Sequence, residues 1–296
     1  MALRQALRAT PRLLRDQPIL FVPMAIFGVL QLPQLFTETL EPSLSIVASL
    51  LGTVIFAFVT PFFYGGTIGM ANDAATGVRT SMGRFLRHAK QFYVSVLLAY
   101  LFLFAISLGF GFLIAITAIV GFIVAFGAGG AGAIMAGIVV IGLVLLFLIV
   151  LFALHFYAHA IVIEGVGAVD GLSRSVHVVR HNLRSMVGYA LVSIVFGGVF
   201  GGLFGALIMA VFPPAPEPGE PAPMPDFESI LLISGVSVVW TTLFVTVFFV
   251  FSVLFYRALI DADAKDTEGA DPDTTDTAEP TSRAGTGSDD GFIYSS

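Results

Sequence analysis

The chain contains no cysteine. Disulfides, thiolate metal sites and cysteine nucleophiles are therefore excluded. Charge is scarce too, at 11% of 296 residues, where a soluble domain carries about 25%. Lysine is nearly missing: Lys90 and Lys265 stand against twelve arginines. There is no GxxxxGK[ST] loop, no HExxH motif and no GxSxG elbow. P-loop phosphoryl transfer, zincin hydrolysis and the α/β-hydrolase nucleophile thus have no sequence basis. No Lys, Arg, Asp or Glu lies near the centre of any long apolar run. Proton relays and ion-coupled carriers place ionisable groups there. The reading is of a non-enzymatic protein without a cofactor.

What the chain has in abundance is apolar sequence, 57% of it, with a mean hydropathy of +0.94. A spanning helix needs about 20 predominantly apolar residues. Six runs meet or approach that length: 19–36, 44–71, 92–126, 134–163, 186–212 and 230–256. The expected fold is all-α, an integral membrane bundle of about six transmembrane helices over residues 1–260. Residues 261–296 are acidic and poor in apolar side chains, which predicts a disordered cytoplasmic tail. Pro61 predicts a kink in the second span. The third run is long enough to bend at Gly121 or to continue as an interfacial piece. The first run does not read as a cleavable signal peptide, since it is long, includes Pro23 and Pro33, and is followed by no small-residue cleavage site.

The net charge of −6 conceals a segregation, since ten of the twenty acidic residues fall between Asp261 and Asp290. Arg4, Arg8, Arg12 and Arg15 precede the first run. Arg79, Arg84, Arg87 and Lys90 lie between the second and third, and Arg174, Arg180 and Arg184 between the fourth and fifth. The other three connections hold no Lys or Arg. One of them, PPAPEPGEPAPMPDF, predicts a stiff extended external loop. By the positive-inside rule both termini are cytoplasmic and the chain is a multi-pass protein of the plasma membrane. Arginine over lysine with an acidic tail fits a halophilic archaeon or a high-GC bacterium.

Each basic segment has helical periodicity. Val78, Met82, Phe85, Leu86 and Ala89 share one face, and Val169, Leu172, Val176, Val179 and Leu183 share another. In the first segment the arginines form a stripe, and Pro11 predicts a break. The chain thus reads as three copies of one unit, in which a cytoplasmic amphipathic helix precedes two spans joined by an external turn. Arg84, Lys90 and Ser95 stand ninety positions before Arg174, Arg180 and Ser185.

On LRQALRATPRLLRDQP near the start and EGVGAVDGLSRSVHVVRHNLRSMVGY from Glu164, the chain resembles a family of haloarchaeal six-span membrane proteins. It is also similar to the membrane domain attached to some glycerophosphodiester phosphodiesterases. The resemblance covers roughly residues 1–263 and implies no catalytic residues.

The amphipathic helices carry the first candidate site. Arg84, Arg87, Lys90, Arg174, Arg180 and Arg184 are expected to meet the phosphates of anionic lipids, with the apolar faces in the headgroup boundary. The alternative is that these helices are gaskets packed on the bundle. Gly197, Gly201 and Gly205 form a small-residue ridge on the fifth span, expected to pack against another helix of this chain, a membrane protein partner or a second copy, with a pore or hinge as the alternative. His155 and His159, four apart on the fourth span, would share a helical face and are weak candidates for a metal. Asn72 and Asp73 read as helix-end polar groups. Lipids and a membrane partner or homo-oligomer are the expected partners, and nucleic acid is not. The expected function is a scaffold or accessory protein. A transporter or channel for a small or apolar solute is the alternative, and an intramembrane metal enzyme would rest on His155 and His159 alone.

Overall fold

The computed structural model describes residues 2–39, 41–128, 130–211 and 227–268, and the regular structure among them is helical. Helix α1 (Ala2–Asp16) is followed by a 3₁₀ turn and α2 (Phe21–Leu35). Then come α3 (Pro42–Ala75), α4 (Met82–Ala128), α5 (Gly130–Ala153) and α6 (Tyr157–Glu164). Helix α7 (Ala168–His181), α8 (Leu183–Val211) and α9 (Phe227–Glu268) complete the order. Apolar sequence takes this form in a membrane because a helix satisfies its backbone hydrogen bonds within itself.

Five stretches are long and apolar enough to cross a bilayer: Ser43–Ala75, Met82–Ala125, Gly132–Glu164, Leu183–Val211 and Glu228–Asp263. A sixth exists if α1 and the following Pro18–Gln34 segment, bent by 98° from each other, are one broken span. At 1.5 Å per residue Pro18–Gln34 extends roughly 25 Å, short of a hydrocarbon core of about 30 Å. The right angle fits α1 lying along a membrane surface into which α2 descends.

The structure departs from the sequence reading in five places. The second amphipathic segment is not a separate helix: α4 runs unbroken from Met82 into its apolar stretch. No proline or capping residue interrupts GRFLRHAKQF, so nothing ends the helix there. Helix α1 runs through Pro11, whose ring lies on the exposed side while Ala6, Thr10 and Leu14 pack inward. Helix α4 is continuous through Gly121, where Ala136 of α5 approaches so closely that an added Cβ would lie 2.5 Å from Ala136 Cβ. Helix α7 buries Gly171, Ser175, Val178 and Val179, whereas Val169 of the expected face is 77% exposed. Helix α9 continues past Asp261 to Glu268. The expected extended loop at 213–226 and the tail from 269 lie outside the described residues.

The tightly packed core sits at one end of the bundle, the end that carries the basic segments. There Leu20, Met24, Ile68, Phe85, Val96, Ile161 and Val253 form one cluster. Ala6, Phe156, Val178, Met186, Tyr189, Phe255 and Tyr256 form its neighbour. Towards the other end the spans expose large apolar side chains such as Ile46, Phe112, Ile149 and Ile194, the surface a bilayer covers. Among the described residues the most extensive helix pairing is α3 with α4, and α2 leans more on α9 than on α3. Gly66 and Gly69 explain the first contact. A Cβ at Gly66 would come within 2.4 Å of the Phe85 ring, and one at Gly69 within 2.4 Å of His88. Small residues of this kind let helix backbones approach in lipid.

Candidate functional site

Helix α5 ends at Ala153 and α6 begins at Tyr157, so a turn over 154–156 interrupts the helix within the single stretch Gly132–Glu164. The backbone tightens there, with His155 N–H reaching Phe152 O at 3.2 Å and Tyr157 N–H reaching Leu154 O at 3.2 Å. Ser175 of α7 repairs what the break leaves open. Its Oγ accepts the Phe156 N–H at 3.0 Å and donates to the Ala153 carbonyl at 2.9 Å. Gly171, one turn earlier on α7, makes this possible, because a Cβ there would lie 2.4 Å from Ile161. Non-helical backbone is tolerated inside a membrane protein where side chains re-satisfy it or where it lines a cavity. Both conditions hold here.

A cavity of about 410 Å³ lies beside the break, with Tyr64 and Ile68 of α3, His155, His159 and Ser252 of α9 in its wall. The break turns the two histidines to different partners. His155 Nε2 lies 2.9 Å from the Tyr189 hydroxyl on α8, and His159 Nε2 lies 2.8 Å from Ser252 Oγ. Both histidines nonetheless line the same cavity. Among the described residues no group of three or more His, Cys, Asp or Glu could hold a metal ion. Ser252 donates its one hydroxyl proton to the Phe249 carbonyl at 2.9 Å. The same hydroxyl lies against His159 Nε2, and the direction of that bond follows the imidazole tautomer. His159 Nδ1 is buried and has no hydrogen-bond partner.

Polar pairs tie the helix ends together around this core. Asp73 at the end of α3 binds Arg84 Nη1 at 2.9 Å and His88 Nε2 at 2.9 Å. Asn72 accepts from Arg257 Nη1 at 2.7 Å. Glu164 accepts from Arg174 Nε at 2.9 Å and from the Tyr256 hydroxyl. Gln17 accepts from the Thr80 backbone N–H at 2.9 Å and donates to the Val78 carbonyl at 3.2 Å. Two of the six expected lipid contacts, Arg84 and Arg174, are thus engaged by carboxylates. Arg87, Lys90, Arg180 and Arg184 are exposed.

A second basic surface is more concentrated. Arg4, Arg8 and Arg12, successive along one side of α1, line an open groove of about 680 Å³ with Asp16, Ala75 and Leu254. Among the described residues the three guanidinium groups form no ion pair. The sequence showed this stripe but not that the end of α3 and α9 wall it into a groove.

On α8, Phe196, Phe200 and Phe204 recur every fourth residue and interlock with Trp240 and Phe244 of α9, with ring centroids 4.7 to 5.5 Å apart. Gly197, Gly201 and Gly205 lie one residue on, and a Cβ added at any of them would meet nothing within 4 Å. The ridge therefore has no packing partner within the described chain, and beyond Tyr189 α8 has no buried residue.

Sequence reasoning missed Ser175 and Ser252. Ser175 was legible in principle as a polar residue one turn after Gly171. Ser252 stands in an aromatic run with no local signal.

A family model described as "Domain of unknown function (DUF7847)" matches residues 1–259. Comparison with the curated proteins gives no match, and neither does comparison with the solved structures.

Proposed function

We propose that this chain, which belongs to the DUF7847 family, is a non-enzymatic scaffold or accessory protein of the plasma membrane. Both termini face the cytoplasm, α1 rests on anionic lipid at the inner surface, and the glycine ridge of α8 receives a membrane partner or a second copy. The observation that carries this reading is the empty space beside Gly197, Gly201 and Gly205. Gly66, Gly69 and Gly121 sit where a neighbour leaves no room for a Cβ, whereas Gly109, Gly111, Gly137 and Gly142 are as open as the α8 glycines but do not recur at four-residue spacing. A ridge of the same chemistry facing nothing is a surface for close approach of another helix. The groove with Arg4, Arg8 and Arg12 supports the lipid contact, since guanidinium groups bind phosphate bidentately even when salt screens long-range attraction.

The test is native mass spectrometry of protein extracted gently from its own membrane. A reproducible partner or symmetric oligomer that is lost in Gly201→Leu is expected. A protomer that stays alone under all extraction conditions would remove the scaffold reading.

A second reading, a transporter or channel for a small or apolar solute, draws on the broken fourth span and the cavity beside it. Solute flux in liposomes that depends on the residues around the break would favour it.

A further inference from the structure

We infer that the α4–α5 hairpin gathers long-chain lipids around itself, because it is too long for an ordinary bilayer and apolar on every side that it leaves uncovered. This holds whether the chain acts as a scaffold or as a carrier.

Length comes first. The apolar run 92–126 is a single stretch of α4, 35 residues without a proline. At 1.5 Å per residue it is about 52 Å long, against a hydrocarbon core of about 30 Å. Such a surplus is met by a kink, by tilt or by a thicker bilayer. Helix α4 is continuous through Gly121, so no break shortens it. Tilt alone does not suffice. At about 40°, the upper end for spanning helices, the run still projects about 40 Å along the membrane normal. The last 10 Å or so falls to the lipid.

The chemistry of the tip decides against water. At this end of the bundle the other connections carry acidic residues, Glu38 and Glu41 after α2, and Glu217, Glu220, Asp226 and Glu228 before and at the start of α9. The α4–α5 connection, GAGGAG, carries none. From Leu101 to Leu154 there is no charged, amide, Tyr, Trp or His side chain, so the usual interfacial anchors are missing. The hydroxyls of Ser107 and Thr117 donate to the carbonyls of Leu103 and Leu113 within α4. Helix α5 covers one side of α4, with Phe110 stacked on Phe147 at 5.2 Å and Gly121 against Ala136. On the remaining sides Phe112, Ile116, Phe122, Ile134 and Ile141 are 56 to 68% exposed. A protein partner needs one apolar face, whereas apolar surface on all sides matches acyl chains. On the α2 side the Pro18–Gln34 segment extends only roughly 25 Å. The long-chain lipid therefore gathers on the hairpin side of the bundle alone.

The test uses the full chain with Trp240→Phe, which removes its one tryptophan, and a new reporter at Ile123→Trp on the hairpin or Val29→Trp on α2. Both positions are exposed. Each protein is reconstituted in equal parts of dimyristoleoyl and dierucoyl phosphatidylcholine, with one or the other brominated. The headgroups are identical, so quenching reads chain length only. The expected result is about threefold enrichment of the longer lipid at Ile123→Trp and none at Val29→Trp. Aqueous iodide should leave Ile123→Trp unquenched. A chain lacking 115–121 and 136–142 keeps its helical phase to about 20° in each helix and should lose the enrichment. Equal quenching by the two lipids at Ile123→Trp would overturn the proposal, and that comparison needs no deletion to fold. Enrichment of the same size at Val29→Trp would remove the hairpin's special role. Quenching of Ile123→Trp by iodide would put the tip in water, and quenching by neither lipid nor iodide would put it under a second copy or a partner; either result sinks the idea.

Discussion

Ser175 and Phe156 meet across the break in the fourth span, the serine hydroxyl accepting the Phe156 N–H at 3.0 Å while donating to Ala153 O at 2.9 Å. One side chain on a separate helix thereby closes two backbone groups that an unbroken helix would have satisfied itself. This contact anchors α7 on the bundle and gives the helix an inner face of small residues.

Ser175→Ala should therefore destabilise the protein by about 2 kcal/mol, since it leaves a buried donor and acceptor unpaired. Chemical unfolding in detergent reads this directly. An unchanged midpoint would show that water or a shifted backbone does the same task.

The two kinds of glycine should respond in opposite ways. Gly66→Ala forces a methyl to 2.4 Å from the Phe85 ring and is expected to cost about 1–3 kcal/mol. Gly201→Ala meets open space and should leave protomer unfolding within about 0.5 kcal/mol of the original. Gly201→Leu should weaken association in the membrane without weakening the protomer. Crosslinking yields in native membranes separate the two effects.

Among the basic residues, stability and lipid contact should separate. Arg174→Gln removes one of the two partners of Glu164. It should lower the unfolding free energy by about 1 kcal/mol, the upper end of the range for exposed pairs. Arg4→Gln, Arg8→Gln and Arg12→Gln together remove no internal ion pair. They should leave the midpoint unchanged and reduce the anionic lipid retained through purification. Retention of the same lipid by the triple variant would reassign the groove.

Orientation can be read with single cysteines, because the chain has none of its own. Ser81→Cys, beside the basic segment, should react with a membrane-impermeant maleimide only after the cells are opened. Ser43→Cys, at the other end of α3, should react in intact cells. The reverse pattern would invert the proposed topology.

Much of the architecture follows from local sequence. Runs of apolar residues near 20 in length have one stable form in a bilayer, so the helical spans needed no knowledge of their neighbours. The clustering of Arg4, Arg84 and Arg174 at one end of the bundle is likewise a property of the sequence order. What the tertiary structure decided is how neighbours change a local tendency. LFALHFYAHA carries no proline or glycine to announce a break, and the break is stable because Ser175, nineteen positions away, supplies the missing bonds. His155 and His159 stand at helical spacing in the sequence, and only the packing shows that one bonds Tyr189 and the other Ser252 while both line one cavity. The glycines of α3 and α8 look alike in sequence. Only the packing shows that Gly66 and Gly69 are filled by Phe85 and His88, whereas Gly201 faces open space because the aromatic residues beside it hold α8 to α9 by its other side.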